Sequence, residues 1–314
     1  MRKIRFLAEA NLREVDLPLV ASAACTIRGP EAKHAAQVLR LVSGVCVEIQ
    51  FPDLQQTWHA QINSLSSSAI ELTLLDLVIT KDLPIVHLVC GLLRGPKNDY
   101  LIEKAVELGV TSISFFKGIR SQGEVSSDSR LPRFNRIAQA ALKQSGGSLI
   151  PQIAIYDSLA AALKTLHPNS QPRLSLAQRQ TLDSSPAEIR LFCSEYSRTM
   201  LVGETQRQVT EINRQINRFG SNQYNLEKFS NPADIKSTEI QSTGNDLLQT
   251  FIVIGPEGGL TAEEEAQGCE GFGYKQVLLG FKTLRAETAA VVACGTLLQI
   301  LSEAMLDSNA LSKV

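Results

Sequence analysis

Long apolar runs are scarce in this chain. The most apolar stretches, around Pro84–Leu93 and Ala289–Leu301, fall short of the roughly 18 to 20 residues that a bilayer crossing needs. No membrane span is therefore expected. The opening Met1-Arg-Lys-Ile-Arg-Phe-Leu runs into Glu9, Arg13, Glu14 and Asp16 without the apolar core of a signal peptide, so the expected compartment is the cytoplasm. Cysteine is sparse and dispersed: Cys25, Cys46, Cys90, Cys193, Cys269 and Cys294 form no CxxC pair, and the histidines are equally scattered. That pattern argues against a disulfide framework and against a metal site, leaving buried, inert thiols as the expectation.

Two ligand-binding fingerprints are also missing. There is no GxGxxG, which disfavours a nicotinamide enzyme, and no glycine loop ending in the Lys-Ser/Thr of a P-loop. Nor is there a strong net charge. The formal value is −1, but it averages over an uneven distribution. Residues 1–40 hold seven Lys/Arg against four Asp/Glu, residues 81–155 ten against six, and residues 251–314 four against eight. The first two segments can together present a basic patch to phosphates.

What is present is a core-sized apolar fraction, 44% of 314 residues, and a change of pattern along the chain. Up to about residue 80 the reading is mostly strand, with Val45–Phe51, Thr57–Ile62 and Ala69–Ile79 β-branched or alternating. A short helix over Glu31–Leu41 interrupts it, with Ala35, Val38, Leu39 and Val42 as its apolar stripe and His34 and Arg40 off that stripe. From Pro84 strands and helices alternate: 85–93 then 99–108, 110–116 then 131–144, and 150–156 then 158–166. The series continues with strands at 189–194, 250–254 and 276–279 and with helices at 261–271 and about 288–305. Such alternation is the mark of βαβ units around a parallel sheet. The domains are thus 1–80 and 84–306, with polar excursions at about 168–188 and 196–247, the second carrying one helix over 205–218.

The residues that bear chemistry cluster late. Gly255-Pro-Glu-Gly-Gly259 follows the apolar strand Phe251–Ile254 and precedes Thr261-Ala-Glu-Glu264, a capping box that opens a helix. Glycines let backbone N–H and C=O groups approach a ligand with no side chain between, though the same residues also make ordinary turns. A second loop, Leu278-Leu-Gly-Phe-Lys-Thr-Leu-Arg-Ala-Glu-Thr-Ala-Ala290, again joins a strand to a helix. Both loops follow strands of a parallel sheet, the end at which such sheets bind ligands.

The order GPEGG-L-T-x-x-E, then LG-x4-LR-x-ETA, resembles the C-terminal signature of the bacterial 16S rRNA (uracil-N3) methyltransferases, the RsmE family of the knotted SPOUT superfamily. Upstream, Leu93-Arg-Gly-Pro-Lys97, Glu103 to Val110, Arg120-Ser121, Lys143-Gln-Ser145 with Pro151, and Leu191 to Glu195 fall in that family's order. His34 with Val38-Leu-Arg40 and Gly44 is similar to its small PUA-like barrel. The chain departs from the pattern at Gly147 and Leu149, where members commonly carry arginines, and at Phe281-Lys-Thr-Leu-Arg-Ala286.

The resemblance implies an α/β fold: a PUA-like β-barrel followed by a SPOUT domain whose parallel sheet ends in a deep trefoil knot. It implies S-adenosylmethionine as cofactor, held by Cys193, Ser194 and Glu195, by Gly255, Pro256, Glu257, Gly258 and Gly259, and by Leu279, Gly280, Leu284, Arg285, Thr288 and Ala289. It implies a homodimer joined by the last helix, and 16S rRNA, within the assembled small ribosomal subunit, as substrate. Because uracil N3 must lose a proton before it can be methylated, Glu287 is the candidate base and Arg285 the candidate stabiliser of charge on the uracil oxygens. Arg2, Lys3, Arg5, His34 and Arg40, with Arg94, Lys97 and Arg120, are the candidate RNA contacts. Two other readings stay open: methylation of another RNA position, and a non-catalytic RNA-binding or ribosome-assembly factor.

Overall fold

A computed structural model describes residues 4–51, 54, 56–78, 84–121, 127–145, 147, 150–168, 188–219 and 248–311. The chain divides into two compact units, one of Met1–Asp82 with Gln139–Ile150 and one of Leu83–Ala138 with Pro151–Val314.

The first unit is a mixed six-stranded sheet in the order β1-β4-β5-β6-β3-β2. Its strands are β1 (Arg5–Leu7), β2 (Arg13–Val15), β3 (Ala24–Arg28), β4 (Cys46–Phe51), β5 (Gln56–Leu65) and β6 (Ala69–Leu77). β1 runs parallel to β4 and every other pairing is antiparallel. Alternation explains the core: Trp58, Ala60 and Ile62 of β5 and Ile70, Leu72 and Leu74 of β6 point inward, onto Phe6, Ile27, Ile49 and Phe51. Register shifts between Trp58 and Ala60 and between Ile62 and Ser64 curl the longest strand. The strands expected from sequence are β4, β5 and β6; β1 to β3 are short and their alternation is correspondingly weak.

The helix expected over Glu31–Leu41 is shorter. α1 (Pro30–Lys33) passes into a π-helical turn, His34–Val38, and Arg40 lies at φ 50°, outside helical space. Widening the turn breaks the 3.6-residue spacing. Of the anticipated apolar stripe only Ala35 is buried, while Val38, Leu39 and Val42 are exposed.

The second unit holds a six-stranded sheet, all parallel, in the order β12-β10-β11-β7-β8-β9. Its strands are β7 (Ile85–Gly91), β8 (Ser112–Phe116), β9 (Gln152–Tyr156), β10 (Glu188–Cys193), β11 (Gln249–Ile254) and β12 (Lys275–Val277). The helices are α2 (Lys97–Leu108), α3 (Ser127–Ser145), α4 (Leu159–Leu166), α5 (Leu201–Phe219), α6 (Ala262–Ala266), continued by π-helical Gln267–Gly271, and α7 (Ala286–Leu311). Continuous apolar strands such as Phe251-Ile-Val-Ile254 are buried on both faces, as a parallel sheet between helices requires. α7 packs on α2, α5, β7 and β11, and α4 packs on the turn that follows α6.

By length and composition Ala286–Met305 of α7 is long and apolar enough to cross a bilayer. This corrects the expectation drawn from the shorter apolar run at residues 289–301; Ala286 at one end and Ala304 and Met305 at the other extend it. It packs against two helices and two strands, and 33% of this apolar window is buried. The excursion over 168–188 lies almost wholly outside the described residues. Of the longer one only 196–219 is described, and there the expected helix over 205–218 is part of α5. The strand order, with α7 returning from edge strand β12 to β11 and β7 in the middle of the sheet, is consistent with the knotted topology.

Candidate active site

The strand order creates a switch point. From β7 the chain moves outward through β8 and β9, whereas β11, β10 and β12 extend the sheet the other way, so the carboxyl ends of β7 and β11 flank a crevice suited to a ligand. The glycine loop lies there, after β11. Its Pro256 is buried while Glu257 and Gly258 are exposed and Gly255 and Gly259 are half-buried, so backbone is presented to solvent. Gly259, at φ 70°, closes the turn by donating its N–H to the Pro256 carbonyl at 2.9 Å.

Neighbouring strand ends hold that loop. A Cβ on Gly91, the last residue of β7, would sit 2.5 Å from Pro256 Cδ, and one on Gly118, after β8, 2.9 Å from Pro256 Cγ. Only glycine lets the loop settle this close. Arg120 donates to the carbonyls of Gly258 (3.5 Å) and Leu260 (3.2 Å). Thr261 and Glu264 form the predicted capping box, and the Glu264 carboxylate, besides accepting from Thr261 N at 2.9 Å, accepts from Ile119 N at 3.0 Å. One buried carboxylate thus starts α6 and ties it to the end of β8.

The Leu93–Lys97 segment meets the same loop from β7. Asn98, buried, fixes the bend by donating to the Leu93 carbonyl at 2.7 Å and accepting from Leu93 N at 3.0 Å. Glu257 Oε1 accepts from Arg94 N and from Lys97 Nζ, both at 3.0 Å. Burial alone would raise the Glu257 carboxyl, but the Arg94 amide and the Lys97 ammonium outweigh it and hold it below the usual carboxylate range.

The other two loops follow β10 and β12. Ser194 N donates to the Val277 carbonyl at 3.0 Å, Leu278 N to Thr199 at 2.7 Å and Leu201 N to Leu278 at 2.9 Å, which laces the loops together. Ser194 is buried and donates to Glu265 Oε1 at 3.2 Å, while Glu195 is exposed. Leu279, Gly280 and Leu284 are half-buried, and nothing lies within 4 Å of a Cβ placed on Gly280. Arg285 and Thr288 are exposed and Ala289 is buried. Glu287 occupies the first turn of α7, where a carboxylate is favoured by the helix dipole. Its side chain is 12% exposed, and its Oε2 is buried without a hydrogen-bond partner.

The expected site residues therefore fall on three loops at the carboxyl ends of β12, β10 and β11, neighbours in the sheet. The RNA candidates are divided between the two units. His34 and Arg40 are exposed in the first unit. Arg5 is engaged there: it bonds Glu48 Oε2 through Nε (3.0 Å) and Nη2 (2.6 Å), and Nη1 reaches the Gly147 carbonyl. Arg94, Lys97 and Arg120 are in the second unit, and Lys97 is turned onto carboxylates. Arg2 and Lys3 lie outside the described residues. Sequence reasoning missed Gly91, Asn98 and Gly118 and the second bond of Glu264; the only local sign of any was Asn98 directly after Leu93–Lys97.

All six cysteines are free thiols. Cys25, Cys90 and Cys294 are buried, as anticipated, and burial pushes their thiols up, Cys294 to about 12 and Cys25 to about 11. Cys46, exposed at the start of β4, departs from that expectation.

The chain is similar to several known proteins. A ribosomal RNA small subunit methyltransferase E of Bacillus subtilis is 25% identical over 276 residues, 85% of this chain and 87% of its own length. A methyltransferase E 2 of Borreliella burgdorferi is 28% identical over 129 residues, 40% of this chain and 53%, about half, of its own length. In fold, the chain is similar to a ribosomal RNA small subunit methyltransferase E from Neisseria gonorrhoeae, solved bound to S-adenosyl methionine, with a TM-score of 0.62, 21% identity and coverage of 95% and 98%. The pattern of the RNA methyltransferase domain matches residues 81–203 and 207–298, more than half of the chain. This chain belongs to the RNA methyltransferase domain family.

Proposed function

We propose that the protein transfers the methyl group of S-adenosylmethionine to N3 of a uridine in 16S rRNA. The observation that carries this reading is the convergence, at the carboxyl ends of three adjoining strands, of an open glycine loop, a half-buried apolar wall and a carboxylate oxygen without a hydrogen-bond partner. The residues fit the cofactor. Gly255 to Gly259 offer backbone polar groups to its polar parts, Leu279, Gly280 and Leu284 an apolar seat with room beside Gly280, and Cys193 to Glu195 with Arg285, Thr288 and Ala289 the remaining contacts. The bound cofactor supplies an electrophilic sulfonium methyl.

The chain's own residues prepare the nucleophile. The N3 lone pair becomes available once the N3–H proton is removed, and Glu287 Oε2 is an acceptor that the fold leaves without a donor. Arg285, exposed two residues earlier, stabilises the negative charge then shared by the uracil oxygens. The N-terminal domain, residues 1–80, holds surrounding RNA through His34 and Arg40, and residues 84–306, Arg94 and Arg120 among them, perform the transfer. Two copies pair through α7: only 33% of its apolar window is buried within one chain, which leaves apolar surface for a second copy. The substrate is the small ribosomal subunit in the cytoplasm.

Incubation with ribosomal RNA or small subunits and labelled cofactor, followed by mapping of the modified nucleotide, tests the reading. Label at N3 of one uridine is expected; label at a ribose oxygen, or RNA binding by a protein with no affinity for S-adenosylmethionine, overturns it.

A further inference from the structure

Lys97 stands between two carboxylates of the site. Its Nζ is 3.0 Å from Glu257 Oε1 and 4.0 Å from Glu287 Oε2. Glu257 already accepts the Arg94 backbone amide on that same oxygen, so its charge is met twice. Glu287 Oε2 is buried and accepts no hydrogen bond, and the Lys97 ammonium is its one ion-pair contact among the described residues. Cys90 on β7 interacts with both carboxylates, and burial keeps its thiol protonated and neutral. Arg285 is exposed. A buried carboxylate is best accommodated with a cation beside it, and Lys97 provides one without occupying the oxygen that must receive a proton.

We propose that Lys97 is a positioning residue for proton abstraction: its ammonium sets a compensating charge beside the Glu287 carboxylate while leaving Oε2 free for the substrate N–H, and it is not an RNA-phosphate contact. This rests on the reading of Glu287 as the base. In the step it supports, the N3–H bond breaks, the electron pair stays on nitrogen, and the proton passes to Glu287 Oε2, giving a neutral carboxyl. The 4.0 Å separation suits that role, since a direct hydrogen bond from Lys97 would occupy the acceptor, whereas a nearby charge acts on it without doing so.

The test uses the full chain and compares wild type with Lys97→Met, Lys97→Arg and Glu257→Gln in three measurements: turnover against pH, cofactor affinity by calorimetry, and RNA affinity against salt. A cation close to a carboxylate favours its charged form, and Lys97→Met removes the one 4.0 Å from Glu287 Oε2. The acid limb of turnover in Lys97→Met is therefore expected to move to higher pH, with about a tenfold loss on that limb, and Lys97→Arg to restore it. Glu257→Gln, which loosens the glycine loop but keeps the ammonium, is expected to weaken cofactor binding and leave the limb in place. The salt slope of RNA binding in Lys97→Met should equal that of wild type. An unmoved acid limb, or a salt slope reduced by about one as for a lost phosphate contact, overturns the proposal. An inactive wild type overturns the uridine reading together with this one, whereas an active wild type with an unmoved limb overturns this one alone. Lys97→Gln replaces Lys97→Met if the latter melts early; with 35% of the side chain exposed, the position tolerates a polar residue.

Discussion

Gly91 and Pro256 are in such close contact that a Cβ on Gly91 would lie 2.5 Å from both Cδ and the backbone nitrogen of Pro256. The residues are far apart in sequence, yet the last turn of β7 is the floor on which the glycine loop rests. Gly91→Ala forces the loop to move, so a stability loss of about 1 to 3 kcal/mol is expected, together with at least a tenfold weaker affinity for S-adenosylmethionine. Chemical denaturation and calorimetry measure the two. Gly280→Ala meets nothing within 4 Å and should cost less than about 1 kcal/mol; equal destabilisation by both would disprove the close-approach argument.

Glu264 serves two amides, Thr261 N and Ile119 N, from a side chain buried to 3% exposure. Removing the carboxylate leaves both donors without their acceptor, at about 1 to 3 kcal/mol for a buried group. Thr261→Ala removes only a cap, worth about 1 kcal/mol. Glu264→Ala should therefore melt below Thr261→Ala, and the reverse order would show that the link to Ile119 contributes nothing.

Arg5 and Arg40 should behave oppositely, although the sequence suggests both as RNA contacts. Arg5 is bonded to the buried Glu48 carboxylate, so Arg5→Ala deprives that carboxylate of its guanidinium and should cost about 3 kcal/mol of stability. Arg40 is exposed at positive φ. Arg40→Gly should leave stability unchanged or slightly higher, weaken RNA binding, and lower the salt slope by about one. A full salt slope in Arg40→Gly would remove it from the footprint.

His87 gives the fold a pH dependence. Burial pushes its imidazole down to about 4, with the nearby His167 adding to the effect. The unfolded chain takes up this proton near pH 6.5 and the folded chain does not, so stability is full above about pH 6.5 and falls towards pH 4, by at most about 1.4 kcal/mol per pH unit. His87 stacks on Phe251 with ring centroids 4.4 Å apart, so His87→Phe preserves an aromatic contact. Urea midpoints between pH 7 and 4.5 should decline less steeply in His87→Phe; parallel declines would assign the acid sensitivity to other groups.

Elements with strong local periodicity are legible without the structure. Strands such as Phe251–Ile254 are continuous apolar runs, and α4 and α6 open on the side-chain caps Ser158 and Thr261, so these elements are written in short windows. The capping box at Thr261–Glu264 is the clearest case, being entirely local. The three-residue strands β1 and β2 are not legible, because so few residues show no alternation. The π-helical turn at His34–Val38 escapes a sequence reading because its consequence, exposed Val38 and Val42, contradicts the ordinary helical spacing that the residues suggest.

The sequence by itself determined the fold class, the position of the glycine loop and the family pattern, since each depends on residues close along the chain. Tertiary structure alone decided what those residues do to one another. Pairing β7 with β11 brings Lys97 to Glu257 across 160 residues, and the packing of α7 brings Glu287 to the same ammonium. Two charges far apart in sequence carry no mark of whether they will meet; burial and strand order, which belong to the whole fold, place them within 4 Å and turn a surface lysine into part of the site.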